Sequence, residues 1–124
     1  MKKELDEKLC AKYPEIFKDR HGKVTETLMC WGFDVEDGWY QLIDDLCAAL
    51  CLIAVREKVD PPVAVQVKEK FGGLRFYINR GSDAMHDAIN HAEDRSYMVC
   101  EICSKPGRLN KYGWLRVRCE EHTK

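Results

Sequence analysis

Two short cysteine and histidine motifs in the last quarter of the chain constrain its fold more than any other feature. The first is Cys100-x2-Cys103 and the second is Cys119-x2-His122, with 15 residues between them. Thiolate and imidazole are ligands that zinc prefers, and two close pairs supply the four converging atoms of a tetrahedral site. The spacing therefore predicts one zinc ion bound by these four residues. Because a closed four-ligand site has no position for substrate, we expect the zinc to be structural.

The residues between the two motifs are numerous enough to form a hairpin that returns the second pair to the first. Lys105-Pro106-Gly107 is the expected turn after the first pair, and Trp114 to Arg118 alternates as a strand does. We predict a zinc-ribbon or treble-clef-like module over residues 98–124. In this module, Cys119 to His122 would lie on the first turn of a helix.

The other cysteines are predicted to be reduced core residues. The chain has seven cysteines, an odd number, and its charged N-terminus lacks the apolar segment of a secretion signal. In a reducing cytosol, paired cysteines hold metal more often than they form disulfides. No apolar run approaches the roughly 20 residues of a membrane span, so we expect a cytoplasmic protein without a membrane partner. The four remaining thiols are those of Cys10, Cys30, Cys47 and Cys51.

The first 97 residues are predicted to form an α+β body. Residues 2–12 have the pattern of a short helix, and residues 38–56 carry the strongest apolar repeat of helical period. This second helix is expected to be central to the core, with Asp37 as its N-cap and with Asp44 and Asp45 facing water. A third helix is expected after Ser82 as N-cap, with an apolar stripe formed by Met85, Ala88, Ile89 and Ala92.

Residues 63–79 change to a period of two, which is typical of strands. Val63, Val65 and Val67 alternate with less apolar residues, and a second alternating run follows Phe71-Gly72-Gly73. Two such runs around a Gly-Gly pair predict an antiparallel hairpin. The predicted fold is thus helices packed on a small antiparallel hairpin or sheet, followed by the zinc module.

Charge is distributed unevenly along the chain. Residues 1–60 hold 9 basic and 13 acidic residues, a net of −4, whereas residues 100–124 hold 6 basic and 3 acidic residues, a net of +3. Cationic side chains interleaved with aromatic ones suit phosphate contact and base stacking. The alternative is that the aromatic rings pack the zinc module while the cations are solvated. The residues of this basic strip are Lys105, Arg108, Lys111, Tyr112, Trp114, Arg116 and Arg118.

Several signals resemble catalytic motifs without satisfying them. His91-Ala92-Glu93 before Cys100 resembles a zinc deaminase pattern, but the separation is too short and no proline precedes the cysteine. His86 and His91 are five residues apart and do not share a helical face. The acidic stretch 34–37 could bind a cation or a basic partner, but such a stretch more often caps the helix that it precedes, through favourable charge near the helix N-terminus. No convergent catalytic set is visible, so we do not expect an enzyme.

The chain resembles a family of small proteins encoded by bacteriophages and prophages, for which no activity is established. The resemblance covers most of the chain and includes the two metal motifs. Ser104 stands where a glycine is expected after the first pair. The resemblance implies a phage origin, a bacterial host cell and a zinc-binding tail. Its other matching segments are Lys12-Tyr13-Pro14, Met29-Cys30-Trp31-Gly32-Phe33, Asp37-Gly38-Trp39-Tyr40, the run from Lys70 to Tyr77, and Gly113-Trp114.

Two classes of binding function follow from these observations. The first is a non-enzymatic accessory protein that binds a host protein, for example as an inhibitor of a defence system. The second is a nucleic-acid-binding zinc protein that uses the strip from Lys105 to Arg118. The acidic body favours a protein partner and the basic tail favours nucleic acid. We expect the protein partner, because the acidic body repels a polyanion.

Overall fold

The computed structural model describes residues 1–23 and 26–123. From the sequence, residues 23–36 are predicted to be an irregular segment rich in apolar side chains. Val24 and Thr25 of that segment, and Lys124 of the predicted module 98–124, lie outside the described residues. The architecture is α+β, as predicted. The helices are α1 (Lys3–Lys12), α2 (Tyr40–Glu57) and α3 (Asp83–Ser96), and the strands are β1 (Phe33–Asp34), β2 (Ala64–Lys70), β3 (Gly73–Ile78), β4 (Arg108–Leu109) and β5 (Val117–Arg118).

The main sheet has three strands in the order β1-β2-β3 and is mixed rather than purely antiparallel. β2 and β3 form the predicted hairpin, and β1 adds to the other edge of β2 in parallel, with Phe33 beside Val67. A strand of two residues is too short to show a period-two pattern, which is why the sequence did not predict it. Through β1, the sheet therefore joins the segment that precedes α2 to the hairpin.

The hairpin turns through Phe71 and Gly72, because Lys70 pairs with Gly73 across the ladder. Both turn residues have positive φ, 55° and 86° respectively, as a two-residue type I′ turn requires. The Glu69 carboxylate accepts a hydrogen bond from the Gly72 amide at 2.8 Å. The turn therefore holds a large apolar side chain, that of Phe71, at the outer tip of the sheet.

The alternation predicted for the first strand of the hairpin holds only in part. Val63, Ala64 and Val67 are buried, whereas Val65 is only partly buried. A register shift between Ala64 and Gln66 changes which side of the strand faces the core. Such irregularities depend on the partner strand, so a single-strand pattern does not reveal them.

Helix α2 is the central core helix, as predicted. One 3-10 turn, Asp37–Trp39, precedes it, and Asp37 is not its N-cap. Instead, an Asp37 carboxylate oxygen accepts a hydrogen bond from the Lys2 amide at 2.7 Å. The span Asp37–Glu57 is long and apolar enough to cross a membrane, but half of its most apolar window is buried, and core helices pass the same test.

Asp44 does not face water, in contrast to the prediction, although Asp45 is exposed. Asp44 is 8% exposed, and its carboxylate accepts hydrogen bonds from the Tyr13 hydroxyl at 2.6 Å and from the Lys12 ammonium at 3.0 Å. Burial opposes ionisation of Asp44, but these donors outweigh it and lower the carboxyl pKa below its ordinary value. The carboxylate therefore ties α1 to α2.

Helix α3 begins as predicted. The Ser82 hydroxyl accepts a hydrogen bond from the Met85 amide at 3.3 Å. Met85, Ile89 and Ala92 are buried against α2 and β3, while Ala88 is partly buried. The helix thus closes the core over the hairpin.

The four cysteines of the body are free thiols, as predicted. Cys47 is buried, whereas Cys10, Cys30 and Cys51 are half-buried. Burial and the neighbouring Asp6 carboxylate raise the pKa of Cys10 to about 11, and burial also raises the pKa of Cys47 and Cys51. These three thiols are consequently protonated at neutral pH.

Candidate metal centre

The four residues of the two C-terminal motifs come together in space. Their ligand atoms all lie within 4.8 Å of one another, and this group can hold one metal ion. The Cys103 and Cys119 sulfurs are 3.6 Å apart. His122 Nδ1 lies 3.2 Å from the Cys119 sulfur and 3.7 Å from the Cys100 sulfur. The predicted ligand set of three thiols and one imidazole is therefore assembled.

The first motif occupies a tight turn. The Ser104 amide donates to the Cys100 carbonyl at 3.0 Å, and the Cys100 amide donates to the Lys105 carbonyl at 2.8 Å. Ser104 has φ 72°, the left-handed region that favours glycine. This conformation gives a physical reason for expecting glycine at that position. The chain then doubles back, and Val99 pairs with Pro106 across an isolated bridge.

The second motif is positioned by the short hairpin of β4 and β5. Arg108 pairs with Arg118 and Leu109 with Val117, so that Cys119 follows directly from a paired strand. The segment from Cys119 to His122 forms one hydrogen-bonded turn, closed by the His122 amide on the Cys119 carbonyl at 3.2 Å. The sequence-based prediction of a helical first turn at Cys119 to His122 is therefore replaced by a single hydrogen-bonded turn.

The electrostatics of the site favour the thiolate at Cys100 and disfavour it at Cys103. Burial opposes ionisation of Cys100, but amides of Cys119, Cys103 and Ile102 together with His122 outweigh it and lower its pKa to about 6. An amide N–H of Lys105 favours the Cys103 thiolate, yet burial and the neighbouring sulfurs raise the pKa of Cys103 overall. The sulfurs thus oppose each other's ionisation, a conflict that a bound cation relieves.

Glu101 connects the C-terminal module, residues 98–123, to the body. Its side chain is buried, accepts a hydrogen bond from the Glu36 amide at 3.0 Å and pairs with Arg118 at 3.4 Å. Burial raises the Glu101 pKa even though Arg118 and the amide oppose that shift. Glu101, which directly follows Cys100, therefore binds the module to the body and does not face solvent.

Gly38 is the closest point of contact between the body and the metal-binding turn. Its amide donates to the Glu101 carbonyl at 2.6 Å, and its own carbonyl accepts from the Ser104 hydroxyl at 2.5 Å. A Cβ atom at Gly38 would collide with the carbonyl groups of Cys100 and Glu101. Only glycine permits this approach. Val117, fully buried, extends the main hydrophobic core into the module.

The basic strip is mostly exposed. The side chains of Tyr112 and Trp114 are 87% and 76% exposed, so they do not pack the module. Arg118 is only half-buried and is paired with Glu101, and Lys105 pairs with Glu121 at 3.4 Å. Within residues 1–23 and 26–123, the other three cations of the strip form no ion pair. These are Arg108, Lys111 and Arg116.

The structure adds a cleft that the sequence analysis missed. The hairpin tip packs against the C-terminal module, and Phe71, which is 65% exposed, faces a space of about 430 Å³ shared with Trp114. The rest of the lining consists of Glu69, Lys70, Gly113 and Leu115. We call this the aromatic cleft. One sequence feature could have indicated this cleft: Phe71 occupies a turn position at which polar residues or glycine are usual.

A second cleft of about 420 Å³ adjoins the aromatic cleft. Trp114, Leu115 and Glu69 line both clefts, which are therefore adjacent. The second cleft also contains carboxylates, and we call it the acidic cleft. Its charged residues are Asp34, Glu36, Glu69, Glu101, Arg116 and Arg118.

The motif that resembled a deaminase has a structural use instead. Glu93 accepts a hydrogen bond from the Phe76 amide at 2.9 Å, which ties α3 to β3. His86 and His91 are exposed on α3, as expected for solvated histidines. Neither histidine belongs to the group of metal-binding residues found in the described part of the chain.

Comparisons of the chain with protein-family models, with curated proteins and with solved structures found no match. The resemblance to phage-encoded proteins accordingly stays a prediction.

Proposed function

We propose that this chain is a non-enzymatic zinc-binding accessory protein that binds another protein through the aromatic cleft. The observation that carries the proposal is the exposure of Phe71 and Trp114, two large aromatic side chains from separate parts of the chain that line one cleft. Exposed apolar patches rimmed by polar residues mark interaction sites. Trp, Tyr and Arg are also the residues that most often dominate binding energy at protein interfaces.

Zinc is the metal that best suits the ligand group. Tetrahedral zinc, with Zn–S of about 2.3 Å and Zn–N of about 2.0–2.1 Å, would place its ligand atoms roughly 3.6–3.8 Å apart. The separations of 3.6 Å between the Cys103 and Cys119 sulfurs and of 3.7 Å between the Cys100 sulfur and His122 Nδ1 match these values, whereas His122 Nδ1 lies closer to the Cys119 sulfur, at 3.2 Å. Soft thiolates disfavour calcium and magnesium, which prefer oxygen ligands.

The role proposed for zinc is structural. Three thiolates and one imidazole complete a four-coordinate site and leave no position for a substrate. The ion would fix the loop between Cys103 and Cys119, which carries Trp114 and Leu115 to the aromatic cleft. Zinc binding would therefore hold one wall of the cleft in place.

An affinity capture from host lysate tests the proposed function. The wild-type chain, a Phe71→Ala/Trp114→Ala variant and a Val55→Ala control would be used as bait in nuclease-treated lysate. Val55 is 74% exposed on α2 and lines neither cleft. The Val55→Ala variant therefore loses exposed apolar surface without changing either cleft. We expect a protein captured by the wild type and the control but not by the double variant. Equal capture by all three chains would contradict the proposal.

Nucleic acid is the second candidate, because Tyr112 and Trp114 are exposed beside Arg108, Lys111 and Arg116. Such an arrangement suits base stacking and phosphate contact. Two observations make nucleic acid a weaker candidate than a protein partner. Arg118 and Lys105 are engaged in ion pairs, and the carboxylates of the acidic cleft lie beside Trp114 and would repel a phosphate backbone.

A salt titration separates the two candidates. We expect at most weak affinity for single-stranded or duplex DNA at about 150 mM salt. A tight complex under these conditions that weakens steeply with added salt, and is lost when Lys111 and Arg116 are both replaced by alanine, would reverse the ranking.

A further inference from the structure

We infer that the partner contributes a short acidic segment whose single aromatic or large aliphatic side chain inserts between Phe71 and Trp114. This inference rests on the proposed function and specifies the chemistry of the partner at the same site. It follows from the shape of the aromatic cleft and from the charges around it.

The cleft has the size and lining for one large side chain. Its volume of about 430 Å³ is at the small end of the range for ligand sites, and two aromatic rings and Leu115 form its apolar surface. Aromatic pairs in offset or edge-to-face contact contribute about 0.5–1.5 kcal/mol beyond area burial. A partner side chain such as phenylalanine, tryptophan or leucine would bury surface that Phe71 and Trp114 now expose to water.

The cations of the cleft and of the chain segment that carries Trp114 favour acidic neighbours for that side chain. Lys70 lines the aromatic cleft, and its ammonium lies 5.5 Å from the centre of the Phe71 ring. Arg108, Lys111 and Arg116 belong to the segment that carries Trp114, and Arg116 lines the adjacent acidic cleft. Within the described ranges, Lys70, Arg108, Lys111 and Arg116 form no ion pair. Residues 104–118 contain no acidic residue. Acidic residues of the partner would meet these unpaired cations, which accelerates encounter and selects partners by charge.

The one carboxylate in the aromatic cleft does not change this conclusion. Glu69 accepts a hydrogen bond from the Gly72 amide at 2.8 Å and so stabilises the hairpin turn. Asp34, Glu36 and Glu101 line the acidic cleft and not the aromatic cleft. A short acidic segment confined to the aromatic cleft avoids them, whereas a phosphate backbone that follows the basic strip to Arg116 and Arg118 runs along the cleft that they line.

Selection from a displayed library of random short peptides tests the inference directly. The full-length, metal-loaded chain would be the target, with Trp114→Ala, Lys111→Glu/Arg116→Glu and Val55→Ala variants as comparisons. We expect enriched peptides that combine an aromatic or leucine residue with flanking Asp and Glu. Their affinity should fall at least about tenfold, or roughly 1.4 kcal/mol, on the first two variants and stay unchanged on Val55→Ala.

Each other outcome overturns the inference while leaving the proposed function separately testable by affinity capture. Enrichment of basic peptides, or of peptides whose binding ignores Trp114, would show that the segment chemistry is wrong. Absence of any enriched peptide would show that the partner does not use a short linear segment. Tighter binding of oligo-dT than of any selected peptide would assign the cleft to nucleic acid. Metal content and circular dichroism of every variant would exclude unfolding as the cause of lost binding.

Discussion

The indole Nε1 of Trp39 donates a hydrogen bond to the carbonyl oxygen of Val99 at 2.9 Å. Trp39 is fully buried at the start of α2, and Val99 immediately precedes the ligand Cys100. The 3-10 turn that leads into the central helix and the residue before Cys100 therefore share one partly buried polar contact. Together with the contacts of Gly38 and Glu101, it explains why the metal centre and the hydrophobic core should stabilise each other.

Replacing Trp39 by phenylalanine should test this connection. The change removes the N–H donor, leaves the Val99 carbonyl without its partner and creates a small cavity, so we expect a loss of about 2–3 kcal/mol. Trp31→Phe is the control, because Trp31 is 70% exposed and should change stability by no more than about 0.5 kcal/mol. Equal urea midpoints for the two variants would argue against the connection.

Replacing Cys119 by serine should remove bound metal and destabilise the whole chain. Structural zinc contributes to folding directly, and Val117, two residues earlier, belongs to the core. We expect a loss of at least about 2 kcal/mol, measured by thermal unfolding alongside the metal content. Cys30→Ser should keep its metal, since Cys30 is not a ligand. An unchanged melting temperature in Cys119→Ser would be incompatible with a structural metal.

Asp44→Asn should lower stability in a pH-dependent way. Hydrogen bonds from Tyr13 and Lys12 lower the Asp44 pKa in the folded chain, so the carboxylate stabilises the fold at pH above its unfolded pKa of about 3.9. That contribution is lost as pH falls through the lowered folded pKa. The difference between wild type and variant should be about 1–3 kcal/mol at neutral pH and should shrink in acid. A difference that stays constant down to strongly acidic pH would show that the charge is irrelevant.

Alkylation of Cys10 should be slow at neutral pH and should accelerate up to about pH 11. Burial and Asp6 raise its pKa to about 11, and only the thiolate reacts. Cys47, fully buried, should react more slowly still. Mass spectrometry of the metal-loaded chain after timed labelling gives both rates. Rapid labelling of Cys10 at neutral pH, with the chain still folded, would disprove the assigned environment.

The sequence predicted those parts of the structure that depend on local pattern. The spacing of Cys100, Cys103, Cys119 and His122 is sufficient to identify the four residues that can hold a metal ion, because two close pairs and a hairpin leave few other ways to bring them together. The hairpin, the apolar repeat of α2 and the cap at Ser82 are likewise local signals, although the hairpin turns at Phe71-Gly72 and not at the Gly-Gly pair.

The predictions were wrong where the position of a side chain depends on a residue that is distant in the sequence. Asp44 is buried because Tyr13, 31 residues earlier, donates to it, and nothing in the pattern of α2 indicates that donor. Asp37 binds the Lys2 amide, 35 residues away, instead of capping its own helix. The aromatic cleft exists because Phe71 and Trp114 line one space, and only the packing of the hairpin tip against the C-terminal module places them there.

We propose that one zinc ion holds the C-terminal module and thereby one wall of the aromatic cleft. Elemental analysis of the purified full-length chain, combined with X-ray absorption at the zinc edge, would detect this ion and its ligands. We expect one equivalent of zinc per chain, with three sulfur ligands at about 2.3 Å and one nitrogen ligand at about 2.0–2.1 Å. Well under half an equivalent of any metal, or a shell of oxygen ligands, would rule out this zinc site.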